Sequence, residues 1–86
     1  MMNKLEQEIL DTIAEEGEID KGEITPGSNL YDLGIDSLSS LEILVALEKK
    51  YDIRISQNRL KKINNVREII RVVAGEVQKK KRGRSI

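Results

Sequence analysis

The sequence of 86 residues contains neither cysteine nor histidine. Without cysteine the chain can form no disulfide and no thiolate metal site, and nothing indicates an oxidising compartment. Without histidine it lacks the most common general base and the most common metal ligand. The remaining acidic and basic residues are not paired with a nucleophile in any recognisable pattern. The sequence therefore predicts a protein that is not an enzyme and holds no metal.

Phenylalanine and tryptophan are also absent, and the only aromatic residues are Tyr31 and Tyr51. A chain of this length forms one domain, whose core must be built from Leu, Ile and Val. Such a core has no large rigid rings, and we expect it to open at a modest cost in free energy to admit an alkyl chain. No apolar run approaches the length of a membrane span or of a signal-peptide core, which favours a cytoplasmic protein with no transmembrane segment.

The most informative stretch is Leu33-Gly34-Ile35-Asp36-Ser37-Leu38. Loop-forming residues precede it, and every residue from Ser37 to Tyr51 tolerates a helix. Asp36 is a suitable N-cap because its carboxylate can accept the free amide hydrogens of the first turn. The pattern therefore places Ser37 at the first helical position, with its hydroxyl exposed. A phosphate ester on that hydroxyl would be stabilised by the helix N-terminus.

The spacing of the apolar residues predicts an all-α protein. We expect a four-helix bundle with a long loop between helices 1 and 2 and a short third helix. The loop, from residue 17 to residue 36, exceeds the length at which structureless connections become uncommon, so apolar anchors such as Ile24 and Leu30 should tether it. The predicted helices cover residues 4–16, 37–51, 57–63 and 66–77.

The second predicted helix carries two apolar stripes rather than one. The stripes consist of Ile43, Leu44, Leu47 and Tyr51 on one side, and of Leu38, Leu41 and Val45 on nearly the opposite side. A helix that packs on one side needs only one stripe. The second stripe is therefore either a docking surface beside Ser37 or a second buried face, since the central helix of a small bundle can be covered on two sides.

The net charge is zero, but the charges are segregated along the chain. Residues 1–36 hold ten acids and two bases, whereas residues 37–86 hold five acids and thirteen bases. The last residues are strongly basic and could contact nucleic acid or an anionic membrane. We favour a solvated, disordered tail over residues 79–86, following a domain over residues 1–78, because no aromatic residue interleaves for base stacking.

Several segments between residues 28 and 66 together resemble the acyl carrier proteins. These segments are Gly34-Ile35-Asp36-Ser37-Leu38, Leu41-Glu42, Ala46-Leu47-Glu48 and Tyr51-Asp52-Ile53. In that family the serine of the Asp-Ser-Leu triplet carries a 4'-phosphopantetheine arm from coenzyme A, and acyl groups are bound to the thiol of the arm. The resemblance implies a bundle of the acyl-carrier-protein type, with Ser37 as the attachment residue and Asp36 as the helix cap beside it.

The resemblance also implies partners. A phosphopantetheinyl transferase would attach the arm, and acyl-loading and acyl-processing enzymes would dock on the second helix of a monomeric carrier that binds no specific nucleic acid. The residues expected to contact these enzymes are Leu38, Leu41, Glu42, Val45 and Glu48.

The sequence departs from the commonest fatty-acid carriers at several positions. Ser39, Lys49 and Lys50 stand where acids are common in that family, and Asn29 stands where a phenylalanine usually lines the acyl pocket. These departures favour a specialised fatty-acid, polyketide or lipid pathway over general fatty-acid synthesis.

Two alternative functions remain open from the sequence. One is a peptidyl or aminoacyl carrier, although such carriers usually have a residue other than Asp before the serine. The other is an unmodified basic helical domain that binds nucleic acid or an acidic protein through its many Lys and Arg side chains. That alternative leaves the Gly34-Ile35-Asp36-Ser37-Leu38 segment without an explanation.

Overall fold

The computed structural model describes residues 3–84, and these form four α-helices. The helices are α1 (Lys4–Gly17), α2 (Ser37–Tyr51), α3 (Gln57–Lys62) and α4 (Val66–Arg84). The described residues contain no β-strand, only an isolated bridge between Asn29 and Asn65. The predicted all-α bundle with a long first loop and a short third helix is confirmed. No helix within residues 3–84 is long and apolar enough to cross a membrane.

Local hydrogen bonds define both ends of α1. The Asn3 side chain accepts from the Glu6 amide at 2.8 Å, and the Glu6 carboxylate accepts from the Asn3 amide at 2.9 Å. This reciprocal capping box satisfies two amide hydrogens that have no partner inside the helix. At the other end Glu18 adopts the left-handed conformation, with φ 54°, and its amide donates back to the Ala14 and Glu15 carbonyls.

The core lies between α1, α2 and α4 and is entirely aliphatic. Its fully buried members come from all three helices: Ile9, Ile13, Ile43, Leu44, Leu47, Val66, Ile69 and Val73. Each such side chain contributes about 1.5 to 3 kcal/mol when buried. At the edge of this core the Tyr51 hydroxyl donates to a Glu8 carboxylate oxygen at 3.0 Å, joining α2 to α1.

The long connection between α1 and α2 is pinned to the start of α4. Ile24, Leu30 and Ile35 are buried in the core and serve as its anchors. The Leu30 amide donates to the Asn64 carbonyl at 3.0 Å, and the Val66 amide donates to the Ser28 carbonyl at the same distance. A short 3-10 turn over Lys21–Glu23, which the sequence pattern did not indicate, shortens the unstructured part further.

Helix α4 continues to Arg84, well beyond the predicted end at residue 77. The sequence predicted a disordered tail over residues 79–86; the structure continues the helix through residues 79–84, and residues 85 and 86 lie outside the described residues. Lys80 explains the extension in part, because its ammonium donates to the Asp52 carbonyl at 3.0 Å and to the Asp52 carboxylate at 2.5 Å. This cation therefore stabilises the C-terminal end of α2, where carbonyl groups have no partner inside the helix.

Candidate functional site

Ser37 is the first residue of α2 and is exposed, as the sequence predicts. Asp36 precedes it in an extended conformation, and the Asp36 Oδ1 atom accepts from the Ser39 amide at 2.8 Å. The Asp36 carbonyl accepts from the Ser40 amide at 2.9 Å and so begins the helical ladder. Gly34, with φ +82°, lets the chain turn sharply just before this start. Local chemistry therefore fixes the serine on the surface.

The Asp36 carboxylate is held in its charged form. Its hydrogen bond from the Ser39 backbone amide keeps the pKa of this carboxyl below its ordinary value of 3.8. A hydrogen bond to the charged form favours that form, and the helix N-terminus acts in the same direction. Asp36 is thus a charged cap next to Ser37, and the lone pairs on its Oδ1 atom are directed towards the backbone.

We expect Asp36→Ala to lower the urea midpoint of unfolding at about pH 7, because the first turn of α2 loses its cap. Asp36→Asn should keep most of the stability, since an amide oxygen also caps. The folded pKa is lowered, so the advantage of the wild type over Asp36→Asn is present at neutral pH and is lost as the pH falls through the folded pKa. Urea titrations near pH 7 and near pH 3 test both statements. Equal midpoints for the wild type and Asp36→Ala at neutral pH would contradict the capping role.

An open cleft of about 450 Å³ lies beside Ser37, between α2 and α3. Its apolar wall is formed by Leu30, Ile35, Leu41, Leu44, Leu60 and Ile63. Its polar rim includes Tyr31, Gln57, Lys61 and Asn64. The sequence did not indicate this cleft, because α3 has only six residues and a pattern that short does not show which way Leu60 faces. Asn29 does not line the cleft.

The two apolar stripes of α2 differ in their exposure to solvent. Ile43, Leu44 and Leu47 are buried in the core, whereas Leu38, Leu41 and Val45 are 65%, 46% and 38% exposed. The second stripe is therefore a surface feature, and we call Leu38, Leu41 and Val45 the apolar ridge. Tyr31, which is 67% exposed, adds a further large side chain at the rim of the cleft, and the sequence pattern gave no indication of it.

The two acids predicted on this face differ in their surroundings. Glu42 is exposed. Glu48 is only partly exposed, and its Oε2 atom accepts from the Ile55 amide at 2.8 Å. The Glu48 carbonyl also accepts from the Ile53 amide at 3.0 Å. Glu48 thus holds the segment after α2 in place. The spacing of residues along α2 does not predict this contact.

The comparisons with known proteins identify the family. The family model described as a phosphopantetheine attachment site matches residues 7–73. Acyl carrier proteins of Helicobacter pylori strains J99 and G27 are 36% and 34% identical to this chain over 68 residues, which are 78% of this chain and 87% of each relative. The chain therefore belongs to the acyl carrier protein family. Members of this family are carriers rather than enzymes and bear phosphopantetheine, so both predictions are confirmed.

Solved structures show the same fold. An acyl carrier protein from Thermotoga maritima superposes with a TM-score of 0.78 at 17% identity, covering 92% of this chain and 98% of that one. The hexanoyl carrier of the actinorhodin polyketide synthase from Streptomyces coelicolor gives a TM-score of 0.69 at 20% identity, with 92% of each chain covered. The predicted bundle of the acyl-carrier-protein type is thus confirmed.

The residues around Ser37 suit a phosphopantetheine group. The Ser37 hydroxyl is reachable from solvent, the N-terminus of α2 favours a phosphate beside it, and the aliphatic wall of the cleft begins at the same point. The matched region of the family includes this serine.

Proposed function

We propose that Ser37 carries the 4'-phosphopantetheine arm. The observation that supports this most strongly is an exposed serine at the first position of α2, directly after a charged cap and inside the region matched by the phosphopantetheine attachment family. In the attachment reaction the Ser37 oxygen loses its proton and forms a phosphodiester bond. The phosphoanhydride bond of coenzyme A breaks, and the nucleotide half leaves. When bound, the arm supplies a terminal thiol that holds acyl groups as thioesters.

Asp36 has a positioning role in this proposal. Its Oδ1 atom is engaged with the Ser39 amide, so it fixes the start of the helix and the direction of the neighbouring serine.

The cleft beside Ser37 is the proposed resting place of the acyl chain. Leu44 and Ile35 at its floor are almost completely buried, while Leu41 and Leu60 stand at its edge. An alkyl chain that leaves water for such a wall gains about 0.8 kcal/mol per buried methylene group. The buried core beneath the cleft contains no aromatic side chain, so we expect it to open at a modest cost in free energy. The cargo fits an acyl group of a specialised fatty-acid, polyketide or lipid pathway.

The apolar ridge, Glu42 and Glu48 form the proposed docking surface for the phosphopantetheinyl transferase and for the acyl-loading and acyl-processing enzymes. An exposed row of apolar side chains is common at protein interfaces and unfavourable in water. The protein itself would act as a cytoplasmic monomer that presents the tethered substrate. Tethering raises the effective concentration of the acyl group at each active site, and this presentation is the carrier's contribution to catalysis.

Intact-mass spectrometry tests the proposed function. The purified protein is incubated with coenzyme A and a promiscuous phosphopantetheinyl transferase. We expect one phosphopantetheine-sized increase in mass, because one exposed serine sits at a suitable helix start. A second incubation with hexanoyl coenzyme A should add the acylated arm. A protein that gains no mass in either incubation would contradict the proposal.

A further inference from the structure

The last turns of α4 carry a dense group of positive charges. We call residues 79–84 the basic extension. Its members are cationic except for Gly83, and no acid lies among them: Lys79, Lys80, Lys81, Arg82 and Arg84. The extension follows the region matched by the phosphopantetheine attachment family, which ends at residue 73. The residues that define the family therefore do not account for these charges.

Helix α4 leads from the neighbourhood of Ser37 to the opposite end of the bundle. Asn64, just before α4, lines the cleft beside Ser37. Near the other end of α4, the Lys80 ammonium donates to the carbonyl of Asp52, the residue directly after α2. Helix α2 is about 22 Å long, at about 1.5 Å per residue. The basic extension thus begins about one length of α2 away from Ser37 and continues away from it.

The carboxylates at this end of the bundle do not balance the extension, even when every one is counted as charged. Glu76 pairs with Arg59 and Lys79, and Asp52 pairs with Lys80. The start of α1 meets the same end, because Glu8 accepts from Tyr51. Residues 4–8, 48–54 and 76–84, together with Arg59, hold ten bases and five acids, which is a net charge of +5. This end of the molecule is therefore strongly basic, although the whole chain has zero net charge.

The positive charges are distributed around α4 rather than along one face. Consecutive positions of an α-helix are about 100° apart, so residues 79–82 occupy most of a full turn. Residues 79–84 nevertheless extend over only about 8 Å along the helix axis. This length is about one Debye length at physiological ionic strength. A flat anionic surface that meets the end of α4 therefore attracts all five cations, whereas an acidic site on one side of the helix would reach only some of them.

We propose that the basic extension binds the carrier to a membrane surface that contains anionic phospholipids, with Ser37 and the apolar ridge facing away from the lipid. Clusters of about four to eight Lys and Arg residues on a helix are typical of segments that bind anionic lipids. Residues 78–84 include no apolar side chain that would insert into the membrane, so the binding is electrostatic and reversible. It goes beyond the proposed function, because it does not require an arm on Ser37.

A membrane fits this surface better than a nucleic acid. The basic extension has no aromatic side chain on which a base would stack, so a nucleic acid would be held by its phosphates alone. A membrane also agrees with an acyl cargo, since the transfer of an acyl group to a lipid acceptor takes place at a membrane surface. A carrier held at that surface raises the effective concentration of acyl groups there.

Sedimentation with lipid vesicles tests the proposal. The probe is a vesicle of phosphatidylcholine and phosphatidylglycerol in equal parts, and vesicles of phosphatidylcholine alone should not bind the protein. Each base near an anionic surface raises the partition coefficient about fivefold. For Lys79→Gln/Lys81→Gln/Arg82→Gln we therefore expect a decrease of about 100-fold. Lys80 is retained because it holds the end of α2. Binding of the wild type should be lost at roughly 0.5 M salt, where charges are screened within a few ångströms.

A matched triple variant controls for net charge. Lys62→Gln/Arg67→Gln/Arg71→Gln removes the same charge from exposed positions outside the basic extension, and its partition coefficient should stay close to that of the wild type. Glutamine is a good helix former, and circular dichroism checks that each variant is folded. Deletion of residues 81–86, which also removes three bases, replaces the first triple variant if that variant does not fold.

Three results would overturn the proposal. The wild type could bind both kinds of vesicle equally, which would mean that anionic lipid is not recognised. The two triple variants could lose binding to the same extent, which would mean that the basic extension has no special part. Finally, the wild type could bind a labelled DNA duplex through the basic extension and not bind the vesicles, which would assign these charges to nucleic acid.

The orientation of the bound carrier is tested separately. Vesicle-bound wild type should still gain the arm from coenzyme A and transferase, and a loss of modification on the vesicles would contradict an outward-facing Ser37. The variant Ser37→Ala should bind vesicles like the wild type. A wild-type protein that binds vesicles but gains no mass in solution would contradict the proposed function and leave the membrane proposal standing.

Discussion

Replacing Ser37 with alanine is expected to abolish attachment of phosphopantetheine completely. The variant retains the Asp36 cap and its bond to the Ser39 amide, so α2 should begin at the same residue. Alanine is also favourable inside a helix. The loss therefore has one physical cause, the missing nucleophilic oxygen, and intact-mass spectrometry after incubation with coenzyme A and transferase measures it.

Ser40→Ala is the matched control. Ser40 lies one turn further along α2 and lines the same cleft, but it is not at the helix start. This variant should gain the full mass at a rate close to that of the wild type. Modification of Ser37→Ala, or loss of modification in Ser40→Ala alone, would show that the attachment residue has been assigned wrongly.

The second large effect concerns two leucines of α2 that differ in burial. Leu47 is 0% exposed, whereas Leu41 is 46% exposed. We expect Leu47→Ala to lower the free energy of unfolding by about 2 to 5 kcal/mol, because it leaves a cavity in the aliphatic core. Leu41→Ala should lower it by no more than about 0.5 kcal/mol. Since small domains are stable by only about 5 to 15 kcal/mol, the first change is severe, and urea unfolding measures both.

The order of the two effects should be reversed for kcat/KM in the attachment reaction. Leu41→Ala should reduce kcat/KM for the transferase by about 3- to 10-fold, because it removes part of the docking ridge. Leu47→Ala, assayed at a temperature where it is folded, should stay near the wild-type value. If the two leucines affect stability equally, the assignment of one stripe to the core and the other to the surface is wrong.

Local sequence signals predicted most of the helical framework. The bounds of α2 were predicted at both ends because Asp36 can cap the first turn and the residues from Ser37 to Tyr51 all tolerate a helix. The start of α1 followed from the reciprocal pairing of Asn3 with Glu6. These features depend on hydrogen bonds between residues three or four positions apart, which a single sequence displays directly.

Features that depend on tertiary contacts could not be predicted in the same way. The extension of α4 to Arg84 is supported by Lys80, whose partner Asp52 lies far away in sequence. Glu48 was predicted to contact partner enzymes because of its place on α2, and only the folded chain shows that its carboxylate also accepts from the amide of Ile55. In both cases a charged side chain contacts a backbone or acidic group that comes close only when the chain folds.

The candidate site likewise combines a local feature, which the sequence predicts, with tertiary features, which it does not. Ser37 could be located from the sequence because its position depends on a local helix start. The cleft could not, since it is formed where α3 and the loop before α2 meet the side of α2. The Lys and Arg residues near the ridge were visible in the sequence, but which of them have an acidic partner depends on the packing of α4 and of the chain after α2.

Tandem mass spectrometry of the protein purified from its own organism tests the central claim most directly. The fragments locate any attached group among the six serines of the chain. The predicted result is phosphopantetheine, with or without an acyl group, on the peptide that contains Asp36-Ser37-Leu38 and on its serine at position 37. Phosphopantetheine on any other residue, or a native protein that bears none, would contradict it.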